Sequence, residues 1–277
     1  MAVESIPSID PAAPAKSPPK RRRTLDSILG LTGEILITAG VVLGLYVVWQ
    51  LFYTDVLSAR TQTQALNDLA WAEPVRVPAI TAGGTAAVGA PAPSVDVATI
   101  PDNLKVYSAA GAPVIAEPSE ATTFATLHVP RWGSDYVKPI SEGTNREKVL
   151  DKLGIGHYTG TVMPGAVGNF AVAGHRTTYG KPFSDINTLQ VGDSLVVQTE
   201  SAWYVYTMTD HVIVNPDYLA AIAPVPGKPG EAPTVASITL TSCHPKFSAA
   251  QRYIVWGTLK YWAPTGHGYP SELLEKP

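Results

Sequence analysis

Cysteine is nearly absent from this sequence: Cys243 is the only one among 277 residues. A single thiol excludes an internal disulfide framework and leaves either an inert buried group or a reactive one. It also leaves no paired-cysteine spacing for zinc. A site built from Cys243, His244 and His175 would be irregular, and no metal is expected. Charge is scarce too, at 16% of residues and a net −3. It is unevenly spread, because Lys16, Lys20, Arg21, Arg22 and Arg23 against Glu4 and Asp10 give the first 23 residues +3 (five minus two) and leave −6 for the rest. A mildly acidic body argues against nucleic acid as a partner. No nucleotide-binding loop, no paired metal motif and no internal repeat is present, so no cofactor is expected.

Long apolar runs are also rare, and there is one. Ile35 to Phe52 are 18 residues without a charge, and Ile28 to Leu31 extend the run past Glu34. That length can span hydrocarbon, whereas a cleavable signal has an apolar core of only about 7 to 15 residues. Basic residues beside a span stay inside, which predicts a cytoplasmic-membrane protein crossing once, its N-terminus inside and everything after the span extracytoplasmic. The expected organisation is a basic cytoplasmic tail over 1–26, an anchor over 27–53 and a helix and stalk over 54–118. A catalytic β-domain over 119–265 and a C-terminal tail over 266–277 follow. "DVLSARTQTQALNDLAW" has modest helical character, and Ala72 to Pro118 is too rich in Ala, Gly and Pro to fold alone. Part of that stalk has room to pack onto the domain beyond it.

The folded part is expected to begin near Ala121, where "TFATLHV" alternates. Further strand candidates are Tyr136–Ile140, Gly168–Gly174, Ser194–Gln198, Tyr204–Asp210, Val212–Val214, Ser237–Ser242 and Tyr253–Trp262. Their spacing and the Gly, Pro, Asn and Asp between them predict an all-β barrel or sandwich. Two short helices interrupt it: "NREKVLDKLG", capped by Thr144 and ended by Gly154, and "PFSDINTL", with Pro182 in its first turn.

Strand alternation places the chemistry. In "SITLTSC" Ile238, Leu240 and Ser242 share one face, and Thr239, Thr241 and Cys243 the other. In "GNFAVAGH" Phe170, Val172 and Gly174 share a face, while His175 lies with Ala171 and Ala173. Both strands bury large residues on one side and keep small ones beside the reactive group, as a peptide groove requires. A thiol with a pKa of about 8.5 needs a base or cation to attack a carbonyl near neutral pH. His175 supplies one and can then protonate a departing amine. Arg252, nine positions after Cys243, faces it if "HPKFSAAQ" closes a hairpin, and offers N–H donors to an oxyanion. Each residue also has an ordinary reading: a small buried hydrophobe, one histidine of six, a solvated surface charge. Spacing alone leaves both readings open.

"TLTSC" with an arginine nine positions on, together with "AGHRTTYG", resembles the signature of sortases, the membrane-anchored cysteine transpeptidases of Gram-positive bacteria. "GHYTGTVMPGAVGNFAVAGHRTTYGKPF" and "TLTSCHPKFSAAQR" are most similar to the class E sortases of actinobacteria, over roughly Thr123 to Trp262. A papain-like order would put cysteine before histidine, and the cysteine contexts of caspases and L,D-transpeptidases are missing. The resemblance implies an eight-stranded sortase-type β-barrel with Cys243 as nucleophile, His175 as general acid and Arg252 as oxyanion donor. It implies cleavage of Leu-Ala-x-Thr-Gly sorting signals on secreted proteins between Thr and Gly, through a thioester resolved by an amine of a peptidoglycan precursor. The family usually has threonine before the cysteine, where this chain has Ser242, which keeps the hydroxyl for substrate binding and loses the methyl. Tyr136, in "GSDYVKP", matches a tyrosine associated with alanine at the second signal position. A pilin-polymerising sortase, or a non-catalytic wall-binding β-domain, are the alternatives.

Overall fold

The computed structural model describes residues 20–49, 53–72 and 98–274. It divides into two compact units, one ending at Trp49 and one beginning at Gln50. The first contains helix α1 (Lys20–Val48), whose segment Asp26–Val48 has 23 residues and a mean hydropathy of 2.0, long and apolar enough to cross a bilayer. Most of the stalk expected between Ala72 and Pro118 lies outside the described residues.

The second unit is a closed barrel of eight strands: β1 (Thr123–His128), β2 (Val137–Glu142), β3 (Ile155–His157), β4 (Gly168–Gly174), β5 (Ser194–Gln198), β6 (Ala202–Val214), β7 (Ala236–His244) and β8 (Gln251–Pro264). The order around it is β1-β2-β3-β4-β7-β8-β6-β5, and β1 and β5 pair to close the ring. Pairs β2–β3 and β4–β7 are parallel, and the others are antiparallel. The expected alternation holds: Phe170, Val172, Ile238, Leu240, Tyr253 and Val255 all join the interior cluster. Their neighbours in sequence therefore face out of the barrel.

Several local expectations are corrected. Strand β3 has only three residues, two flanking a glycine, too short for a period to show in sequence. The two strands expected at Tyr204–Asp210 and Val212–Val214 are one, β6, with irregular register at Met208/Asp210. "NREKVLDKLG" forms a single wide turn, Arg146–Leu150, capped by Asn145 rather than Thr144, because the Asn145 carboxamide accepts from the Lys148 amide at 3.0 Å. "PFSDINTL" is tight turns and a short 3-10 segment, Ile186–Thr188, so Pro182 opens no helix.

The compact body also exceeds the expected 119–265. Ile100 is buried with Trp203, Tyr261 and Leu273 in a second small cluster, Thr99 bridges to Tyr269, and Val106 to Trp262. Residues on both sides of the barrel sequence thus cover the outer face of β5, β6 and β8. Helix α2 (Thr54–Asn67) forms where modest helical character was read, and presents Thr54, Ser58, Gln62 and Ala65 as its buried stripe.

Candidate active site

Cys243 sits one residue from the end of β7, half-buried and unbridged. Its register partner across the antiparallel β7–β8 pair is Arg252. Directly opposed residues share a face, with Cβ atoms about 4.5–5.5 Å apart. The parallel β4–β7 register runs through Ala173↔Thr241. The last residue of β4, Gly174, which directly precedes His175, therefore lies alongside the end of β7. The Ser242 hydroxyl donates to the Gly174 carbonyl at 2.8 Å, which holds the two strand ends together at that level. All three candidate residues therefore emerge from neighbouring strand ends on the outer face of the barrel.

The face leading to them is lined by Ala171, Ala173, Thr239 and Thr241, all buried. Thr241 meets the Tyr158 hydroxyl at 2.9 Å, and Thr239 donates to Asn169 Oδ1 at 2.7 Å. Asn169 Nδ2 in turn donates to the Ala221 and Ala223 carbonyls, which pins the β6–β7 connection over the lower strip.

His175 is the first residue past β4. Its Nε2 lies 2.6 Å from Asp151 Oδ1, and its ring lies 5.1 Å from the Tyr179 ring. The other ring nitrogen, Nδ1, takes no part in that contact. Arg252 directs Nη1 to the carbonyls of Ala249 and Gln251, at 2.9 and 3.0 Å, so its guanidinium rests on the β7–β8 loop.

Two residues expected to touch substrate are engaged inside the fold. Ser242 is buried and spends its proton on Gly174. The Tyr136 hydroxyl donates to the Pro182 carbonyl, and its ring packs edge-on to Trp132 at 4.8 Å. Burial, with Asp185 nearby, pushes the Tyr136 phenol well above its ordinary value, so it stays a neutral donor. Tyr136 therefore braces the loop that begins with His175.

Sequence reasoning passed over Arg176 and Asp151. Arg176 is 5% exposed and lies between the histidine and cysteine strands. Its Nη1 donates to the Cys243 carbonyl at 3.3 Å and to His244 Nδ1 at 3.0 Å, its Nη2 to Asn187 Oδ1 at 2.7 Å, and its guanidinium stands 5.5 Å from the Tyr253 ring centre. Burial lowers it from the ordinary arginine value, opposed by Tyr253, Asp185 and Cys243. A buried cation on the thiol's own carbonyl adds positive potential where a thiolate would form. The signal available was its place directly after His175 in a chain poor in charge. Asp151 carried none, because it reads as one more polar residue of a helical segment.

A model of the sortase domain matches residues 127–260 of this chain. The sortase SrtE1 of Streptomyces coelicolor is 35% identical over 250 residues, covering 87% of this chain and 60% of that protein, so the chain spans under two thirds of that relative's length. Among solved structures, the SrtA sortase from Actinomyces oris superposes with a TM-score of 0.57 at 40% identity, covering 62% of this chain and 97% of that one. The crystal structure of sortase E1 from Streptomyces coelicolor, with a tripeptide in its active site, gives 0.52 at 41% identity, covering 55% and 97%.

Proposed function

We propose a function from family membership: this chain belongs to the sortase family, and it acts as a membrane-anchored cysteine transpeptidase of the class E type. The observation that carries the reading is the register, which pairs Cys243 with Arg252 and sets the end of β4, with His175, alongside. Helix α1 holds the enzyme in the cytoplasmic membrane, with the basic N-terminus inside and the barrel outside.

The substrate is a secreted protein with a Leu-Ala-x-Thr-Gly signal, whose threonine carbonyl is presented to Cys243. Cys243 Sγ attacks the threonine carbonyl, and the oxygen that gains charge is held by Arg252. His175, as imidazolium, gives its proton to the nitrogen of the departing glycine as the C–N bond breaks. The threonine acyl group remains on sulfur as a thioester. An amine of a peptidoglycan precursor then attacks that thioester, losing its proton to the imidazole while sulfur leaves as thiolate. One amide replaces another, so no ATP is consumed. Ser242 and Tyr136 serve the substrate from behind, by fixing the strand end before the thiol and the loop after the histidine.

The test uses the full chain in detergent, a Leu-Ala-x-Thr-Gly peptide and a small diamine. The expected product is the peptide through threonine joined to the diamine, identified by mass, with the glycine-led fragment released. Arg252→Ala should lower turnover by about 10²- to 10³-fold, the usual worth of an oxyanion donor. Undiminished turnover in that variant would remove Arg252 from the mechanism, and cleavage at another bond would overturn the substrate assignment.

A further inference from the structure

His175 stands at the start of a loop that has little regular structure to hold it. Tyr179, Gly180 and Lys181 all have positive φ, at 57°, 75° and 34°, so the chain turns sharply just after the histidine. A ring at such a place can rotate, and a rotated imidazole presents the wrong nitrogen. What opposes rotation is Asp151, whose Oδ1 accepts from His175 Nε2 at 2.6 Å while both side chains are less than one-fifth exposed. Arg146 Nε reaches the same oxygen at 3.4 Å and neutralises part of its charge.

Asp151 is itself fixed from two sides. Its amide donates to the Arg146 carbonyl at 2.8 Å, and its carbonyl accepts from the Ser58 hydroxyl of α2 at 2.7 Å. The same helix holds the histidine's loop. Gln62 Nε2 donates to the Tyr179 carbonyl at 3.0 Å, and Asp55 accepts from the Gly180 amide at 3.1 Å while pairing with Lys181 at 3.2 Å. Asp55, Ser58 and Gln62 lie three and four apart, on one face of α2. Gln62 is 2% exposed, in a slot that two glycines leave open: a Cβ at Gly180 would meet its Nε2 at 2.6 Å, and one at Gly154 its Cδ at 3.0 Å. A buried polar stripe matched to missing side chains is a built contact, and it reaches both walls of the histidine's cradle.

We propose that Asp151 is a positioning residue for His175, and that α2, the helix following the apolar span in sequence, buttresses it. The inference rests on the reading of His175 as general acid. A carboxylate acceptor at Nε2 keeps that nitrogen protonated, so Nδ1 takes up and delivers the proton, and the ring is held in one orientation. Asp151 touches no substrate and acts through the imidazole.

The test is the ¹⁵N spectrum of labelled histidine in the full chain in detergent, with the His175 signal assigned by its loss in His175→Gln. In the wild type the neutral ring should be almost entirely the Nε2–H tautomer. Asp151→Ala should let the Nδ1–H form appear at the minor share a free histidine side chain shows, while Asp151→Asn, which keeps an acceptor, should retain most of the original form. Turnover should fall by about 10²-fold in Asp151→Ala with little change in KM, and by less in Ser58→Ala/Gln62→Ala. A tautomer unchanged in Asp151→Ala, with circular dichroism unaltered, overturns the inference. If the tautomer shifts as expected but His175→Gln remains fully active, positioning stands as geometry and the general-acid reading fails instead.

Discussion

At the scale of the residue, burial decides which groups carry charge. His128 on β1 is 3% exposed, hydrogen-bonded to Thr126 at 2.9 Å, and packed near Trp203. Burial pulls its imidazole down from 6.5 to about 4, so the native ring is neutral. The unfolded chain takes up that proton as pH falls through 6.5, and the native protein does so only near 4. The group's full contribution to stability is therefore present above pH 6.5 and is lost between there and about 4, a total of roughly 3 kcal/mol. Urea unfolding of the full chain in detergent should show the wild type losing about that much relative to His128→Gln between pH 7 and 4. Parallel stability curves would show the ring to be solvated.

The same residue scale shows what sequence could reveal of the site. Cys243 was legible because it is unique, and its outward face followed from alternation with Ile238 and Leu240. His175 and Arg252 stood out only through the resemblance to sortases, because strand spacing alone left an ordinary reading of each open. Asp151 and Arg176 were not legible, because their importance arises from partners distant in sequence: Ser58 is 93 residues from Asp151, and Cys243 is 67 from Arg176.

At the scale of the element, periodicity identified the long strands and failed on the short ones. β3 was missed although it joins β2 to β4 and so determines where His175 falls. Its Gly156 lies where a side chain has no room, since a Cβ would meet the Gly143 carbonyl oxygen at 2.3 Å and Leu150 Cδ2 at 2.9 Å. The Gly143 contact is backbone and cannot swing aside. Gly156→Ala should therefore destabilise the barrel by about 1–3 kcal/mol, read as a lowered urea midpoint of the full chain at unchanged slope. A midpoint equal to the wild type would mean that the wide turn at Arg146–Leu150 yields freely. The merging of two expected strands into β6 has a similar cause: the irregularity at Met208/Asp210 breaks the alternation in sequence, while the pairing to β8 continues through it.

At the scale of the whole molecule, the catalytic body comprises more than the barrel. Residues 98–118 pack on it, with the Tyr204 hydroxyl donating to Pro113 and the Trp262 indole to Ala110. Leu273 of the tail shares the cluster of Ile100 and Trp203. Composition concealed this: a segment rich in proline and alanine has few apolar side chains, and Ile100 is the one that is buried here. The central claim is that this assembled chain takes an acyl group onto its one thiol. Intact-mass analysis of the full chain, acid-quenched after brief mixing with a Leu-Ala-x-Thr-Gly peptide and no amine, tests it directly. The account predicts an added mass equal to the peptide through its threonine acyl group, removed by hydroxylamine and absent from Cys243→Ala. An adduct that persists in Cys243→Ala, or a wild type that releases the glycine fragment without ever carrying the acyl group, would contradict it.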